Sequence, residues 1–167
     1  MLEKPEISPD GKRRLDEGKT RMKRRCIAVA LQNTPPDVHT ISIRRTLNGQ
    51  ARSDGRMVVP RPFTRKSLYV FLHECSHYHL GHLRAGARRS IHVREYESEI
   101  WAQEKMRSAG IPVPRAMTER ARLNVAFKII RARRRGVKRI DPAALRFAKL
   151  QGDCVVLGKK QIVLIPL

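Results

Sequence analysis

Residues 64–81 read TRKSLYVFLHECSHYHLG, a segment against which the rest of the chain is predicted to pack. Thr64 can cap the first turn of an α-helix, and Gly81 marks the end of that helix. Apolar side chains cover much of its circumference, so the helix is predicted to be largely buried. Its two central histidines and the glutamate between them then need polar partners, which a metal ion and its bound water supply.

An HExxH pentapeptide lies in this helix, with His73, Glu74 and His77 at its defining positions. Because one α-helical turn takes about 3.6 residues, the two histidines emerge from nearly the same side and can bind one ion. Hydrolytic zinc sites use three protein ligands and a water whose pKa the ion lowers to about 7. Glu74 is predicted to be the general base that takes the proton of this water and passes it to the leaving amine. The motif therefore predicts a zinc metallopeptidase.

The third ligand is expected in residues 95–99, EYESE, which begin 18 residues after the second histidine of the motif. A metzincin site is excluded because leucines occupy the positions of its glycine and its third histidine. Glu95 and Glu99 are four residues apart and share one side of a helix, so one can bind the ion while the other supports a histidine ligand. Glu95 is the predicted ligand and Glu99 the support, with the reverse assignment open. Glu97 lies about 200° away around the helix and is the poorer candidate.

Several other side chains near the motif have alternative roles. His82 and His92 can contact the metal or the substrate, or be solvated, and His79 is a further competitor. Tyr78 and Tyr96 can polarise a scissile carbonyl, but packing is the expected role of both.

Hydrophobic periodicity predicts a mostly helical α+β fold with a short hairpin or small sheet beside the active-site helix. The strand over 38–46 is expected to bury one side and to pair with the second strand in the hairpin. The predicted elements are an arm over 1–11, a helix over 13–31, strands over 38–46 and 56–60, the helix over 64–81, a loop over 83–94, helices over 95–109 and 118–135, a short helix from Asp141-Pro142 and a final hairpin over 155–165.

The length suits one domain over residues 1–167, with a motif-bearing core at 38–110 and C-terminal helices and a short hairpin at 111–167. In the predicted helix over 118–135, Thr118 is expected to be the N-cap. Its core stripe is expected at Leu123, Phe127 and Ile130.

The chain is strongly basic, with 36 Lys and Arg against 15 Asp and Glu and a formal net charge of +21. Such an excess attracts polyanions, so nucleic acid is one expected partner, and a merely solvated basic surface is the alternative. The candidate nucleic-acid residues are Arg131, Arg133, Arg134, Arg135, Lys138 and Arg139.

Three cysteines, Cys26, Cys75 and Cys154, are widely spaced and form no CxxC pair, which predicts free thiols that are mostly buried. No segment approaches the roughly 18–20 apolar residues of a membrane span, and the N-terminus lacks an apolar signal region. A cytoplasmic protein without membrane contact is therefore expected.

Two blocks of the sequence, HECSH at 73–77 and EYESEIWA at 95–102, resemble the two hallmark blocks of the ImmA/IrrE family of small zinc metallopeptidases. The second block of that family reads Glu-x-Glu-Ala-Asn/Asp-x-Phe-Ala, and small phage and prophage proteins carry the same pair. The resemblance covers roughly residues 38–110. It implies His73, His77 and Glu95 on zinc, Glu74 as catalyst and a thermolysin-like minimal core with a short sheet edge beside the active-site helix.

Members of that family with known roles cut transcriptional repressors, which implies a specific cytoplasmic protein substrate, such as a DNA-bound repressor. This chain departs from the family pattern in its extreme positive charge and in lacking a recognisable helix-turn-helix. One alternative is a non-catalytic nucleic-acid-binding or accessory protein of a mobile element that keeps the motif as a structural zinc site. Another is zinc-dependent hydrolysis of a non-peptide bond.

Overall fold

The structure, a computed structural model, describes residues 9–152, 154–157 and 160–163. Within these ranges five α-helices accompany two small β-sheets, so the prediction of a mostly helical α+β fold is confirmed. The helices are α1 (Pro9–Gln32), α2 (Arg65–His79), α3 (Ile91–Ser108), α4 (Arg115–Arg134) and α5 (Pro142–Ala148). The strands are β1 (Thr40–Arg44), β2 (Gln50–Ala51), β3 (Arg56–Pro60), β4 (Leu150–Gln151), β5 (Cys154–Leu157) and β6 (Lys160–Val163).

Helix α2 has the capped and buried character that its sequence predicts. The Thr64 hydroxyl accepts from the Ser67 backbone N–H at 3.2 Å, and the Ser67 hydroxyl accepts from the Thr64 backbone N–H at 3.0 Å. This capping box satisfies two N–H groups that the first turn leaves unpaired. Leu68, Leu72 and Cys75 are fully buried. The helix is therefore fixed at its start by local hydrogen bonds and along its length by burial in the core.

The first sheet has the order β1-β3-β2 and packs against α2 through β2 and β3. The predicted hairpin between the first and second strands is wrong: β1 runs parallel to β3, and β2 is the antiparallel partner of β3. The chain reverses direction twice between β1 and β3, around Asn48-Gly49 and again around Asp54-Gly55, so these two strands run the same way. A small sheet therefore takes the place of the hairpin beside α2.

Strand β1 also differs from its prediction of one buried side. All five of its residues are exposed, including Ile41 at 40% and Ile43 at 50% of their surface. The alternation of the sequence there is real, but β1 lies at the outer edge of the sheet, whereas the central strand β3 buries Met57 and Val59. Burial follows from position in the sheet, which periodicity alone does not give.

The final predicted hairpin is confirmed as β5 and β6, which pair in antiparallel fashion. The short strand β4 adds a third member to this second sheet, in the order β4-β5-β6. This sheet packs against α4 through β5. Residues 158, 159, 164 and 165 of the predicted hairpin lie outside the described residues.

Three helix starts differ from their predictions. Helix α1 already begins at Pro9, within the predicted arm of residues 1–11, and residues 1–8 lie outside the described part of the chain. Helix α3 begins at Ile91, four residues before its predicted start, with Ser90 at the N-cap position. Helix α4 begins immediately after Pro114, so Thr118 lies inside the helix and the prediction that it is the N-cap is wrong. The short helix α5 does begin as predicted, with the Asp141 carboxylate accepting from the Ala144 backbone N–H at 2.8 Å.

The buried face of α4 is rotated from the predicted stripe. Ile130 is buried, but Leu123 and Phe127 are only half-buried. The fully buried positions are instead Ala121, Val125, Ala126 and Ile129. Small alanines at the contact let α4 approach its neighbours closely, which a rule based on large apolar residues overlooks.

The three cysteines are free thiols, with Cys26 and Cys75 buried and Cys154 half-buried, as predicted. A search of the described helices finds none with the length and apolar character needed to cross a bilayer.

Candidate metal centre

The packing of α2 against α3 brings three side chains of the two sequence motifs together. His73 and His77 come from α2 and Glu95 from α3, and one ligand atom from each lies within 4.8 Å of the other two. The Nε2 atom of His73 is 3.6 Å from Oε2 of Glu95. Ligand atoms about 2.1 Å from a tetrahedral ion lie about 3.4 Å from one another. The group could therefore hold a metal ion with little rearrangement.

The ring nitrogen of His73 that points away from Glu95 faces Glu99. Nδ1 of His73 lies 3.4 Å from Oε1 of Glu99, whose side chain is buried and whose other oxygen accepts from the Tyr69 hydroxyl at 2.6 Å. Glu99 thus faces Nδ1 of His73, whereas Glu95 faces Nε2. A hydrogen on Nδ1 donated to Glu99 leaves the lone pair of Nε2 directed towards Glu95, the tautomer that a metal ligand requires.

The charges around His73 favour a cation. Burial acts to lower the pKa of His73, but the charges and hydrogen bonds of Glu99 and Glu95 outweigh it and raise that pKa well above its usual value. Burial likewise acts to raise the pKa of Glu95, yet the hydrogen bond from His73 and nearby positive charges lower it to about 2. In the metal-free protein a proton on His73 supplies the positive charge between the two carboxylates. A divalent ion would take over that role and displace the proton.

The outer nitrogen of His77 faces a second histidine. Nδ1 of His77 lies 3.1 Å from Nδ1 of His82, and Nε2 of His82 lies 2.9 Å from Oε2 of Glu97. Glu97 also accepts from the exposed Arg89. Since a carboxylate accepts only, the hydrogen of His82 sits on Nε2 and its Nδ1 accepts from His77. This order leaves Nε2 of His77 free of hydrogen and able to bind a metal.

His82 is buried, with only 2% of its surface exposed, and His77 is half-buried. Burial, reinforced by the charge of His73, lowers the pKa of His77 to about 3, and burial also lowers the pKa of His82 against the opposing effect of Glu97. Both rings are therefore neutral near pH 7. The sequence identified His82 and Glu97 only as lesser ligand candidates, because their contact spans the loop between α2 and α3.

Replacing His82 with phenylalanine is expected to weaken metal binding about 10- to 100-fold, because the hydrogen-bond acceptor that orients His77 is lost. A competition titration against a chromophoric chelator measures this affinity, and circular dichroism checks that the fold is kept. His39→Phe is the matched control, since His39 is exposed, its ring nitrogens face Thr40 and the Asp54 carbonyl, and it lies outside the cavity lining. Equal affinities for the His82 variant and the control would contradict the assigned role.

Helix α4 supports the third candidate ligand. The Asn124 side-chain amide donates to Oε2 of Glu95 at 2.9 Å, and the charge of Lys128 lies near enough to lower the pKa of the same carboxyl. Each of the three candidate ligands thus has its own partner on another residue: Glu99, His82 or Asn124. Sequence reasoning missed Asn124, although its polar side chain on an otherwise core-facing helix is a usable signal.

Glu74 lies beside this group and is almost completely buried, with 7% of its surface exposed. The backbone N–H of Ala51 in β2 lies near enough to act against that burial by lowering the pKa of the Glu74 carboxyl. Burial raises the pKa of Glu74, an effect that the charge of His73 opposes. A buried carboxylate whose pKa is raised towards neutrality is a better proton acceptor than an exposed one.

Gly49 makes room for Glu74. A Cβ atom added at Gly49 would lie 2.5 Å from Oε1 of Glu74, well inside van der Waals contact. Gly49 is absent from the glycines with positive φ among the described residues, so space rather than backbone conformation demands glycine here. The sequence interprets Asn48-Gly49 only as a turn, because the contact with Glu74 is formed through space.

A cavity of about 640 Å³ opens in front of the three candidate ligands and Glu74. The loop at 48–49 and strand β2 form one wall, and α4 forms another. Arg120 of α4 joins these walls by donating to the Leu47 carbonyl at 2.6 Å and to the Asn48 side-chain oxygen at 2.7 Å. The site is therefore open to a substrate on one side and rigidly supported on the others.

The remaining candidates lie apart from the ligand group. His79 stacks on Trp101, with ring centroids 5.1 Å apart. His92 is buried between α3 and the start of α5, where its Nε2 accepts from the Asp141 backbone N–H at 3.4 Å. The Tyr78 hydroxyl donates to backbone carbonyls of the first sheet, and Tyr96 packs on Phe147.

The candidate nucleic-acid residues form an exposed basic segment at the end of α4 and in the following turn. Arg131 lies over the Phe127 ring, and Arg133 donates to the Gly152 carbonyl. The six residues are Arg131, Arg133, Arg134, Arg135, Lys138 and Arg139, and none of these described side chains lines the cavity.

No family model, no curated protein and no solved structure matches this chain. Its function has to be inferred from the geometry of the site.

Proposed function

We propose that the chain is a zinc-dependent endopeptidase of the ImmA/IrrE type, with His73, His77 and Glu95 as metal ligands and Glu74 as general base. The observation that carries this proposal is the group of three ligand atoms, all within 4.8 Å of one another, beside a buried glutamate at a cavity. Two imidazoles and one carboxylate with an open side are the donor set of catalytic zinc sites. The substrate is a specific protein, and a DNA-bound repressor would suit the basic surface.

The side chains of the site divide the chemistry between them. A bound Zn²⁺ would lower the pKa of a water and polarise the scissile carbonyl. Glu74 then accepts the proton of that water and donates it to the leaving amine, which its buried position beside the ligands allows. Strand β2 is an edge strand of the first sheet, and both of its residues line the cavity. A sheet edge of this kind pairs with the backbone of an extended peptide, which favours a peptide substrate.

The alternative is a nucleic-acid-binding protein in which the metal is only structural. The net charge of +21 and the exposed basic segment from Arg131 to Arg139 support it. However, structural zinc sites usually close all four positions with protein ligands, and here three ligands face a cavity. The open coordination side favours catalysis.

Metal analysis of the purified protein tests the proposal directly. We expect about one zinc per chain after purification without added metal, and loss of that zinc in His73→Ala. His79→Ala serves as the control, because His79 stacks on Trp101 outside the ligand group and should leave the zinc content unchanged. A folded wild-type preparation that neither contains nor takes up zinc would contradict the proposal.

A further inference from the structure

The wall of the cavity carries three positively charged side chains. Arg94, Arg120 and Lys128 line it together with three carboxylates. Among the described residues none of these three cations forms an ion pair. The carboxylates are those of Glu74, Glu95 and Glu99, and two of them lie within 4.0 Å of His73.

Two of these cations contact neutral groups instead, whereas the charge of Lys128 acts on the nearby Glu95 carboxyl. Arg120 donates to the Leu47 carbonyl and the Asn48 side chain, and Arg94 donates to the His82 carbonyl at 2.9 Å. Nε of Arg94 is buried and has no hydrogen-bond partner among the described residues. Three cations balance the three carboxylates, so a divalent ion at the ligand group would leave the cavity with a net positive charge. An anionic ligand would restore neutrality.

Two of these cations, Arg120 and Lys128, belong to α4 and lie in a row along the cavity. Arg120, Asn124 and Lys128 are spaced four residues apart and therefore share one face of the helix. With a rise of about 1.5 Å per residue, the row extends about 12 Å from the loop beside β2 to the neighbourhood of Glu95. An extended peptide of three to four residues has about the same length. The row can thus contact several successive substrate residues.

We propose that this cavity selects peptide segments with acidic side chains, and that Arg120 and Lys128 are the residues that determine this specificity. The inference rests on the proposed peptidase function and names its substrate class. A peptide fits better than nucleic acid because the edge strand β2, on the opposite wall of the cavity, can pair with the backbone of an extended peptide. The overall charge of the chain would draw acidic segments towards the site.

Quenched fluorescent octapeptide libraries that differ only in one fixed position, set to Asp, Gln or Lys, test this preference. The zinc-loaded full-length protein is expected to cleave the Asp library about tenfold faster in kcat/KM than the Gln library at the best position, with the Lys library slowest. Lys128→Glu should invert the ratio of Asp to Lys cleavage. Lys66→Glu is the matched control, since Lys66 is exposed and lies outside the cavity lining, and it should keep the wild-type ratio.

The ratio separates specificity from general damage to the site, because a loss of activity common to all libraries leaves it unchanged. If Lys128→Glu does not fold or hold zinc, Lys128→Gln should instead bring the ratio of Asp to Lys cleavage close to one. Wild-type cleavage at equal rates for all three libraries would overturn this inference and leave the peptidase proposal standing. Cleavage of none of them by zinc-loaded protein would overturn both. Stronger inhibition by a single-stranded oligonucleotide than by an acidic peptide of equal charge would assign the cavity to nucleic acid.

Discussion

Glu74→Gln is expected to lower kcat for peptide hydrolysis by a factor of about 10² to 10⁴ while zinc binding and the fold are retained. Glutamine has nearly the shape of glutamate and keeps a side-chain oxygen that can accept hydrogen bonds. It cannot accept a proton from water near pH 7, so the change removes the proposed general base and little else. Zinc content and circular dichroism, measured beside kcat and KM, show whether the loss is confined to the chemical step.

The control for this variant is Glu119→Gln. Glu119 is a carboxylate on α4 that pairs with the exposed Arg115, and it lies outside the cavity lining. Its loss should leave kcat unchanged, because surface ion pairs contribute at most about 1 kcal/mol to stability and nothing to this chemistry. If Glu74→Gln kept full activity, Glu74 would not be the base. If it changed nothing in any assay while the protein bound duplex DNA with a steep salt dependence, the nucleic-acid alternative would gain.

Gly49→Ala should reduce kcat about 100-fold, although residue 49 carries no chemistry of its own. The new methyl group would lie 2.5 Å from Oε1 of Glu74 and 2.8 Å from its Cδ, where carbon and oxygen cannot remain. Arg120 holds the loop through Leu47 and Asn48, so the loop cannot easily withdraw. Glu74 would therefore have to move away from the ligand group. Zinc binding should persist, because the methyl group collides with Glu74 rather than with a ligand.

A double variant tests whether Gly49 acts through Glu74. If it does, Gly49→Ala combined with Glu74→Gln should be no slower than Glu74→Gln alone, since both changes remove the same group. Gly18→Ala is the matched control: a Cβ there meets nothing within 4 Å, and alanine in a helix should stabilise α1 by about 0.5–1 kcal/mol. Independent, multiplying losses in the double variant would show that Gly49 has another role.

The parts of the fold that could be predicted are those specified by neighbouring residues. The N-cap at Thr64, the start of α5 at Asp141 and the bounds of β3 all follow from local hydrogen bonding, turn residues or alternation. The parallel pairing of β1 and the rotated face of α4 do not, because they depend on which elements meet in space. The sequence therefore predicted the order and approximate positions of the helices correctly, but it did not predict how β1 pairs or which face of α4 is buried.

The candidate site divides in the same way. Two histidines on one side of a helix are fixed by a spacing of four, and the glutamate pair on α3 has the same regularity. The residues that support these side chains are not specified by any spacing, because they come from other parts of the chain. His82 lies on the loop between α2 and α3, Asn124 on α4 and Gly49 beside β2. Such contacts join residues far apart in sequence. They become visible only when the helices are packed.

Helix α4 carries no predicted ligand, yet it aligns two of the residues on which the site depends. Asn124 orients Glu95, and Arg120 fixes the loop whose Gly49 leaves room for Glu74. A fragment that ended at residue 110 would retain both sequence motifs and all four central side chains. It would nevertheless lose the contacts of Arg120 and Asn124 that hold these side chains in place. The smallest fragment that can keep the site intact therefore extends at least through α4.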